Sequence, residues 1–284
     1  MANVRDIRRR IRSVRNTQQV TKAMKMVAAA KLRRSQERIL ATRPYALQMK
    51  SVLASLATRA NPEAHPLLAM REGGTVEVVI VTADKGLCGG FNTNIVKRAT
   101  QFIEQHKERG VSLHLIGRKG RDVLRRRRHT ILSEHVDLFR NIEYKDAAEI
   151  ARALMKRYIA GEMGAVYIIY NEFKSVIQQR VTVERLLPIE RIEPEPDPKP
   201  QDYIYEPSAD ALLDSLLPRH VEFQVLRALY ESAAGEFGAR MSAMDAATRN
   251  ADEMIHTLTL TMNRVRQATI TKEIIEVVSG AEAT

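Results

Sequence analysis

The stretch that decides the fold is Met241 to Thr269, MSAMDAATRNADEMIHTLTLTMNRVRQAT, near the C-terminal end of the chain. Within it, small or apolar residues recur at spacings of three and four, at Met241, Met244, Thr248, Ala251, Ile255, Leu258, Met262, Val265 and Thr269. Because this repeat keeps one seam turned toward a partner helix, it predicts a coiled coil. No proline follows Pro218 as far as Val278, so we expect a helix roughly 90 Å long.

A second long helix is predicted at the N-terminal end. Its seam residues are Ile7, Ile11, Val14, Thr21, Met24, Ala28, Leu32 and Ile39. Pro44 is the first proline, and the helical pattern resumes beyond it through Leu56. Antiparallel pairing of the two ends would bury both seams, and two separate amphipathic helices in an ordinary bundle are the alternative. Seams rich in Thr, Ala and Met bury little apolar area, so the pair is expected to need further support.

The middle of the chain has the pattern of an α/β domain. Segments 75–81, 111–116 and 165–170 are typical of strands, while 94–109 and 147–159 are typical of helices. Strands that alternate with helices predict a largely parallel sheet, and 176–187 is expected as an edge strand or hairpin. The predicted fold class is an α/β central domain plus a long antiparallel coiled coil formed by the N- and C-terminal helices.

Domain boundaries follow from these patterns. The N-terminal coiled-coil helix is expected over 1–59 and the α/β domain over 75–187. Residues 188–207 contain six of the ten prolines and are expected to form a linker. The C-terminal coiled-coil helix is expected over 208–284.

The net charge of +11 is concentrated at one end of the chain. Residues 1–43 contain 13 Lys or Arg and 2 Asp or Glu, whereas residues 44–284 contain 32 of each sign. A nucleic-acid partner is disfavoured because aromatic residues are only 5% of the chain and none precedes Tyr45. Direct membrane insertion is disfavoured because the arginines occupy several helix faces. An acidic protein surface is the favoured partner.

Composition also limits the location of the chain. No apolar run approaches the ~20 residues that span a bilayer, and the N-terminal end lacks the apolar core of a signal peptide. The single cysteine, Cys88, excludes an internal disulfide and is typical of a reducing compartment.

Few residues in the middle domain indicate chemistry. The loop from Asp84 to Gly90 lacks both phosphate-binding glycine patterns, so we interpret it as a structural turn whose glycines supply positive φ. The seven histidines form no i, i+4 pair and no close cluster with Cys88, so no metal site, cofactor or catalytic residue is predicted. Arg125 to Arg128 is interpreted as a solvated helix end or loop. The chain is expected to be non-enzymatic on its own.

Several long motifs resemble one known family. Ile11 to Val27, IRSVRNTQQVTKAMKMV, is similar to the N-terminal motif of the gamma subunit of F-type ATP synthases. Further similarity to that family covers Asp84 to Asn92, Leu212 to Glu222, Ala239 to Met244, Asn263 to Thr271 and Glu273 to Ala281. The motifs follow the family's order and cover essentially the whole chain.

The resemblance implies a rotor shaft. In that family, the paired terminal helices lie inside a ring of alpha and beta subunits, and the α/β body lies near the epsilon subunit and the membrane-embedded c-ring. Proton flow turns the shaft, which couples rotation to ATP synthesis or hydrolysis at the beta sites. The resemblance also implies peripheral attachment at the cytoplasmic face of the bacterial plasma membrane.

The resemblance further implies which residues contact the beta subunits. Met24 occupies the position where the shaft meets a beta loop, and Arg266 and Gln267 resemble residues that hydrogen-bond beta loops. The remaining positions of this coupling region are Arg240, Thr271, Glu273 and Glu276. The alternative for each is a helix-surface residue of little energetic weight, since exposed pairs contribute only about 0–1 kcal/mol.

Three other expectations remain open at this point. Gly235 and Gly238 stand where relatives more often have Ala or Ser, which would make the shaft more compliant. A nucleic-acid-binding coiled coil predicts affinity that falls steeply with salt. A small-molecule enzyme predicts nucleotide binding at Asp84 to Asn92.

Overall fold

A computed structural model describes residues 3–57, 65–71, 73–175, 178–190, 206 and 208–282. The chain forms two compact units. Unit 1 comprises Met1–Ala29 and Arg240–Thr284, and unit 2 comprises Ala30–Ala239. Most of the linker expected over 188–207 lies outside the described residues.

Five helices and five strands make up the described chain. The helices are α1 (Val4–Ala57), α2 (Phe91–Gln105), α3 (Arg118–Leu124), α4 (Tyr144–Ile159) and α5 (Ala209–Glu282). The strands are β1 (Val76–Val81), β2 (Val111–Ile116), β3 (Thr130–His135), β4 (Ala165–Phe173) and β5 (Gln179–Leu187). Short 3₁₀ turns follow α2, α3 and β3.

Both long helices continue through a proline. Pro44 lies inside α1, and α5 begins at Ala209 and includes Pro218. A proline removes one backbone hydrogen bond and leaves the carbonyl four residues earlier without its partner. Leu40 and Pro44 are both exposed, so water can satisfy the carbonyl of Leu40. Helix α1 can therefore continue through Pro44, because the proline lies on the solvent-exposed face of the helix.

The sheet in unit 2 has the strand order β3-β2-β1-β4-β5. The first four strands are parallel, and β5 runs antiparallel to β4 as the second strand of a hairpin. Strand β1 lies at the centre and all six of its residues are buried, because helices cover both faces of the parallel sheet. The predicted fold class, an α/β domain with two long terminal helices, is confirmed.

One face of the sheet forms the main apolar core. Its residues on α2 are Phe91, Ile95, Val96, Ala99 and Phe102, and those on β1 are Val76, Val78 and Ile80. Because side chains alternate along a strand, Glu77 points to the opposite face of the sheet, where Arg157 of α4 contacts it. Helix α4 therefore covers the second face.

A buried ionic network lies beneath α4. Glu77 is 1% exposed and accepts hydrogen bonds from the guanidinium of Arg157, at 2.7 and 3.0 Å, and from Nε2 of His114, at 2.8 Å. The carboxylate makes Nε2 the donor nitrogen, so a neutral His114 accepts at Nδ1 from the hydroxyl of Ser133, at 2.8 Å. Burial alone would raise the pKa of Glu77. The hydrogen bonds from His114 and Arg157 outweigh burial, and this pKa lies below its ordinary value.

Helix α5 is fixed to the β4–β5 hairpin by polar contacts. The Ser232 hydroxyl accepts a hydrogen bond from the backbone N–H of Asn171, and Arg227 donates to both carboxylate oxygens of Glu184 at 2.6 Å. A Cβ at Gly235 would lie 3.2 Å from Oδ1 of Asn171, so the glycine permits close packing of α5 on β4. Gly235 was expected only to make the helix more compliant, and the structure shows that it also allows α5 to pack closely on β4.

Three elements differ from the sequence predictions. Strand β3 and helix α3 had not been predicted, and segment 94–109 is a helix only as far as Gln105. Strand β3 pairs with β2 at the sheet edge, and its residues alternate between exposed and half-buried. A strand at an edge needs few apolar residues, so its apolar signal is weak.

We expect His220 to make unit 2 less stable in mild acid. Burial of the ring and repulsion from Arg227 lower the pKa of His220 from 6.5 to about 4. The folded state therefore binds this proton less readily than the unfolded chain, and stability falls as the pH is lowered through this interval. The full pKa shift would correspond to a loss of about 3 kcal/mol in the free energy of unfolding. Partial exposure of the ring reduces this loss to about 2 kcal/mol.

Urea unfolding of His220→Gln measures this effect. The variant should lose less stability than the wild type between pH 6.5 and about 4. The exposed His256 on α5 provides the control variant His256→Gln, which makes the same substitution outside unit 2. Identical pH profiles for His220→Gln and the wild type would contradict the prediction.

Candidate partner-binding surface

The two helices of unit 1 pair antiparallel. Among the described residues, side-chain hydrogen bonds join them from Gln18 to Asp252 at 3.1 Å, from Thr21 to Thr248 at 2.8 Å, and from Lys25 to Asp245 at 2.5 Å. Residue numbers rise along α1 as they fall along α5, which defines the antiparallel direction. The expected pairing of the two chain ends is confirmed.

The seam of this helix pair contains the predicted residues. Ile7, Ile11, Thr21 and Ala28 are buried on α1, as are Met244 and Ala251 on α5. On α5 the other seam residues from Thr248 to Val265 are partly buried. Thr269, which had been expected in the seam, is exposed because α1 begins at Val4 and does not extend far enough to cover it. The seam therefore ends at Val265.

The centre of the seam is polar. Thr248 is placed to donate its hydroxyl proton to the carbonyl of Met244 at 2.7 Å and Thr21 to the carbonyl of Gln18 at 3.0 Å, and the two hydroxyl oxygens lie 2.8 Å apart. Thr21 is 8% exposed, so its hydroxyl depends on protein partners. A seam with paired hydroxyls at its centre contributes less apolar burial than a seam of leucines.

We expect Thr21→Val to destabilise the helix pair by about 1 kcal/mol, because the change removes the hydroxyl that faces Thr248 and keeps the side-chain shape. The double variant Thr21→Val/Thr248→Val should recover most of this loss, since both polar partners are then absent. Hydrogen exchange of α1 amides around Thr21 in the full-length chain measures the opening free energy. Additive effects of the two substitutions would contradict the prediction.

The basic excess of the chain covers the outer faces of α1. Arg8, Arg10, Arg12 and Arg15 are exposed, and no carboxylate in the described part of the chain pairs with them. Asp245 of α5 is satisfied within unit 1, and the hydrogen bond from Lys25 lowers the pKa of this carboxyl. The exposed arginines therefore remain available to a partner with acidic groups.

All seven residues assigned from the resemblance lie in unit 1. Met24 is on α1 and is partly buried, as is Arg240 on α5. The other five are exposed on α5 and are Arg266, Gln267, Thr271, Glu273 and Glu276. Two of these five have local contacts: Thr271 donates to the carbonyl of Gln267 at 3.0 Å, and Glu276 pairs with Lys272 at 3.4 Å.

These residues form two separate groups. Arg240 and Arg266 are 26 residues apart on one helix, from 240 to 266, which corresponds to about 39 Å. The contact between Lys25 and Asp245 places Met24 near the Arg240 end of unit 1. The structure therefore brings Met24 near Arg240 and leaves Arg266 to Glu276 at the other end.

The second group lies on a helical segment without a partner helix. Every residue from Arg266 to Ser279 is exposed, since the seam has ended at Val265. This segment carries five large apolar residues: Ile270, Ile274, Ile275, Val277 and Val278 are between 47% and 72% exposed. Four of them, at 270, 274, 277 and 278, follow the i, i+4, i+7, i+8 spacing of one helix face.

The sequence analysis had not singled out this apolar face. The sequence does indicate this face, because the helical apolar pattern of α5 continues beyond Val265, the last residue that packs against α1. Exposed apolar side chains clustered on one face are typical of an interaction surface.

The β1–α2 loop connects the central strand to the N-terminal end of α2. Positive φ occurs at Leu87 and Gly89, whereas Gly90 has a φ of −82° and precedes α2. The expectation that the glycines in general supply positive φ is therefore correct only for Gly89. Asp84 accepts hydrogen bonds from the backbone N–H groups of Arg118 and Asp137 and so joins this loop to its neighbours. Cys88 is buried.

The described residues contain neither a candidate metal site nor a candidate membrane span. No group of three or more His, Cys, Asp or Glu residues in these ranges is arranged to hold a metal ion. None of the described helices combines the length and apolar character required to cross a bilayer.

An α/β domain with two long paired terminal helices is also the fold of chains from mitochondrial ATP synthases. The chain is similar to a chain from the central stalk and c-ring of the Tetrahymena thermophila mitochondrial ATP synthase, with a TM-score of 0.62, 27% identity and coverage of 80% of this chain and 99% of that one. A chain of the Euglena gracilis mitochondrial ATP synthase has the same fold, with a TM-score of 0.69, 18% identity and coverage of 99% and 94%.

Sequence comparison gives the particular family. The profile of the ATP synthase family matches residues 3–284. The chain is 54% identical over 288 aligned positions to the ATP synthase gamma chain of Anaeromyxobacter sp. (strain Fw109-5), covering 100% of this chain and 99% of that protein. The chain belongs to the ATP synthase gamma chain family.

Proposed function

We propose that the protein is the rotor shaft that couples ion-driven rotation of a c-ring to ATP synthesis or hydrolysis at the catalytic sites of beta subunits. Its partners in this role are the alpha and beta subunits, the epsilon subunit and the c-ring. The chain itself is non-catalytic and contributes a rigid surface whose orientation favours a different conformation in each beta subunit. Coupling of this kind is a difference in binding free energy between conformational states.

The observation that carries this proposal is the partnerless end of α5. Residues from Arg266 to Ser279 are all exposed, and their apolar face has no counterpart in unit 1. A surrounding ring of subunits would cover this face on every side as the shaft turns. The thin seam supports the same proposal, because a helix pair with little apolar burial gains stability when other subunits surround it.

The seven coupling residues have two proposed roles. Met24 and Arg240 contact beta loops at one end of unit 1. Arg266, Gln267, Thr271, Glu273 and Glu276 bind beta loops at the other end through hydrogen bonds and charge. The exposed arginines of α1 complement acidic groups on the same subunits.

The proposed location is the cytoplasmic face of the bacterial plasma membrane. In this proposal attachment is peripheral and depends on the epsilon subunit and the c-ring.

The direct test is reconstitution. The full-length chain should form a stable complex with cognate alpha and beta subunits and should strongly increase their azide-sensitive ATP hydrolysis. A chain that neither associates with these subunits nor changes their turnover would overturn the proposal, as would a chain that hydrolyses ATP alone.

A variant of the α5 end tests the observation that carries the proposal. Replacing Ile270, Ile274, Val277 and Val278 with glutamine should weaken complex formation by at least about 100-fold, since each buried aliphatic side chain contributes about 1.5 kcal/mol or more. The matched control replaces exposed apolar residues of unit 2, Met70, Leu132, Val136 and Ile159, with glutamine. Equal weakening by both variants would mean that the α5 end has no special role.

A further inference from the structure

The zero net charge of residues 44–284 conceals a second strongly basic region. Residues 91–128, from α2 through the turn after α3, contain 11 Lys or Arg and 3 Asp or Glu, a net of +8. The remainder of residues 44–284 therefore has a net charge of −8. None of the residues proposed for coupling lies in this region, since all seven are in unit 1.

Eight of these cations have no carboxylate partner in the described part of the chain. Ion pairs neutralise Lys107, Arg118 and Arg121, which bind Glu104, Asp137 and Asp122. The cations without such a partner are Lys97, Arg98, Lys119, Arg125 to Arg128, and Arg109, which donates to the backbone carbonyls of Gly73 and Gly74. Their positive potential is therefore not cancelled locally.

Three of these cations line a crevice between α2 and α3. The crevice has a volume of about 1310 Å³, and Lys97, Lys119 and Arg127 lie along its walls. Its apolar lining is Val96 of α2 and Val123 of α3, and Val123 is 39% exposed. Gln101, Gln105 and Glu104 add polar groups to the lining, and the carboxylate of Glu104 pairs with Lys107.

The shape of the crevice distinguishes between classes of polyanion. A groove between two helices accepts a third helix by ordinary side-chain packing, and α2 is about 22 Å long, which is enough for four helical turns. A flat bilayer surface cannot enter a groove of this kind. No aromatic ring lines the crevice, so nucleic-acid bases would have no surface on which to stack.

We propose that the crevice between α2 and α3 is a docking site for an acidic amphipathic helix of a partner protein. The carboxylates of the helix pair with Lys97, Lys119 and Arg127, and its apolar residues contact Val96 and Val123. This inference goes beyond the proposed rotor function, because it assigns a binding surface in unit 2.

The probe for a first test is a fluorescein-labelled, 15-residue helical peptide of Glu, Leu and Ala with its leucines on one face. Fluorescence anisotropy with the full-length chain should show saturable binding. Reversing three charges, with Lys97→Glu, Lys119→Glu and Arg127→Glu, should weaken binding at least about tenfold. The matched control reverses three exposed cations elsewhere in unit 2, with Arg140→Glu, Lys156→Glu and Arg219→Glu, and should weaken binding less than about threefold.

A single variant separates groove binding from general charge attraction. Val123→Lys adds a positive charge but removes the apolar contact and fills the groove. Docking as proposed predicts weaker peptide binding, by about threefold or more, whereas charge attraction alone predicts equal or tighter binding. Equal or tighter binding to Val123→Lys would overturn the proposal.

The other polyanions are tested in the same assay. Vesicles containing phosphatidylglycerol and a DNA duplex should compete with the peptide only at low salt. Displacement of the peptide by either at physiological salt, with loss of that displacement in the triple charge reversal, would show that the region serves a membrane or nucleic acid and would overturn the proposal.

Discussion

Replacing Glu77 with alanine should lower the free energy of unfolding of unit 2 by about 3–5 kcal/mol, because it leaves the positive charge of Arg157 and the ring of His114 without their buried partner. Glu77 is 1% exposed on the central strand, so water cannot take the place of its carboxylate. Urea unfolding, with hydrogen exchange of the sheet amides as a second readout, measures the change.

Glu162 provides the matched control for this prediction. Its carboxylate also pairs with Arg157, at 2.7 Å, but its side chain is 49% exposed. Glu162→Gln should therefore cost less than about 1 kcal/mol. Equal losses of unfolding free energy from Glu77→Ala and Glu162→Gln would show that burial does not determine how much a carboxylate of this network contributes to stability.

The same carboxylate adds a pH dependence. The pKa of Glu77 is lowered in the folded state. The ionised carboxylate therefore stabilises unit 2 fully at a pH above the ordinary pKa of a glutamate, and this stabilisation is lost as the pH falls through the folded-state pKa. Glu77→Gln should be less stable than the wild type at neutral pH, and the difference should shrink in acid. A difference that is constant with pH would contradict ionisation of Glu77 in the folded protein.

Gly117→Ala should also destabilise unit 2, by about 2–6 kcal/mol, from backbone strain and overpacking together. Gly117 has a φ of 91° in the turn between β2 and α3, and an added Cβ would lie 2.0 Å from the carbonyl oxygen of Thr82. Neither backbone can move easily, because Thr82 donates its backbone N–H to the carbonyl of Ile116 at 2.8 Å.

Gly86→Ala is the control for this second prediction. A Cβ at Gly86 would meet only the end of the Lys119 side chain, at an ordinary contact distance of 3.7 Å. Its effect on stability should stay within about 0.5 kcal/mol. Circular dichroism during urea unfolding compares the two variants, and a Gly117→Ala protein as stable as Gly86→Ala would disprove the argument.

The sequence predicted those elements whose stability comes from a regular apolar pattern. The seam on α5 from Met244 to Val265, the buried strands β1, β2 and β4, and the antiparallel pairing of the two ends belong to this group. Strand β3 and helix α3 were missed because an edge strand needs few apolar residues and a seven-residue helix is too short to show a period.

The network around Glu77 could not be predicted for a different reason. A single glutamate in an apolar run is equally compatible with a solvated strand face. Only the position of β1 at the centre of the sheet, with α4 across its second face, shows that Glu77 is buried. The residues proposed for coupling came from motif similarity alone, and the structure adds that Met24 and Arg240 are far along the helix pair from Arg266.

The exposed end of α5 has a consequence for how cells handle the unassembled subunit. A helix that has lost its partner helix opens readily, and an open chain that displays isoleucine and valine is a preferred substrate for proteases and a target for chaperones. Incorporation into a complex that covers this segment would remove that signal. The same residues would thus let surplus copies be degraded selectively, which keeps subunit numbers matched without a dedicated sensor.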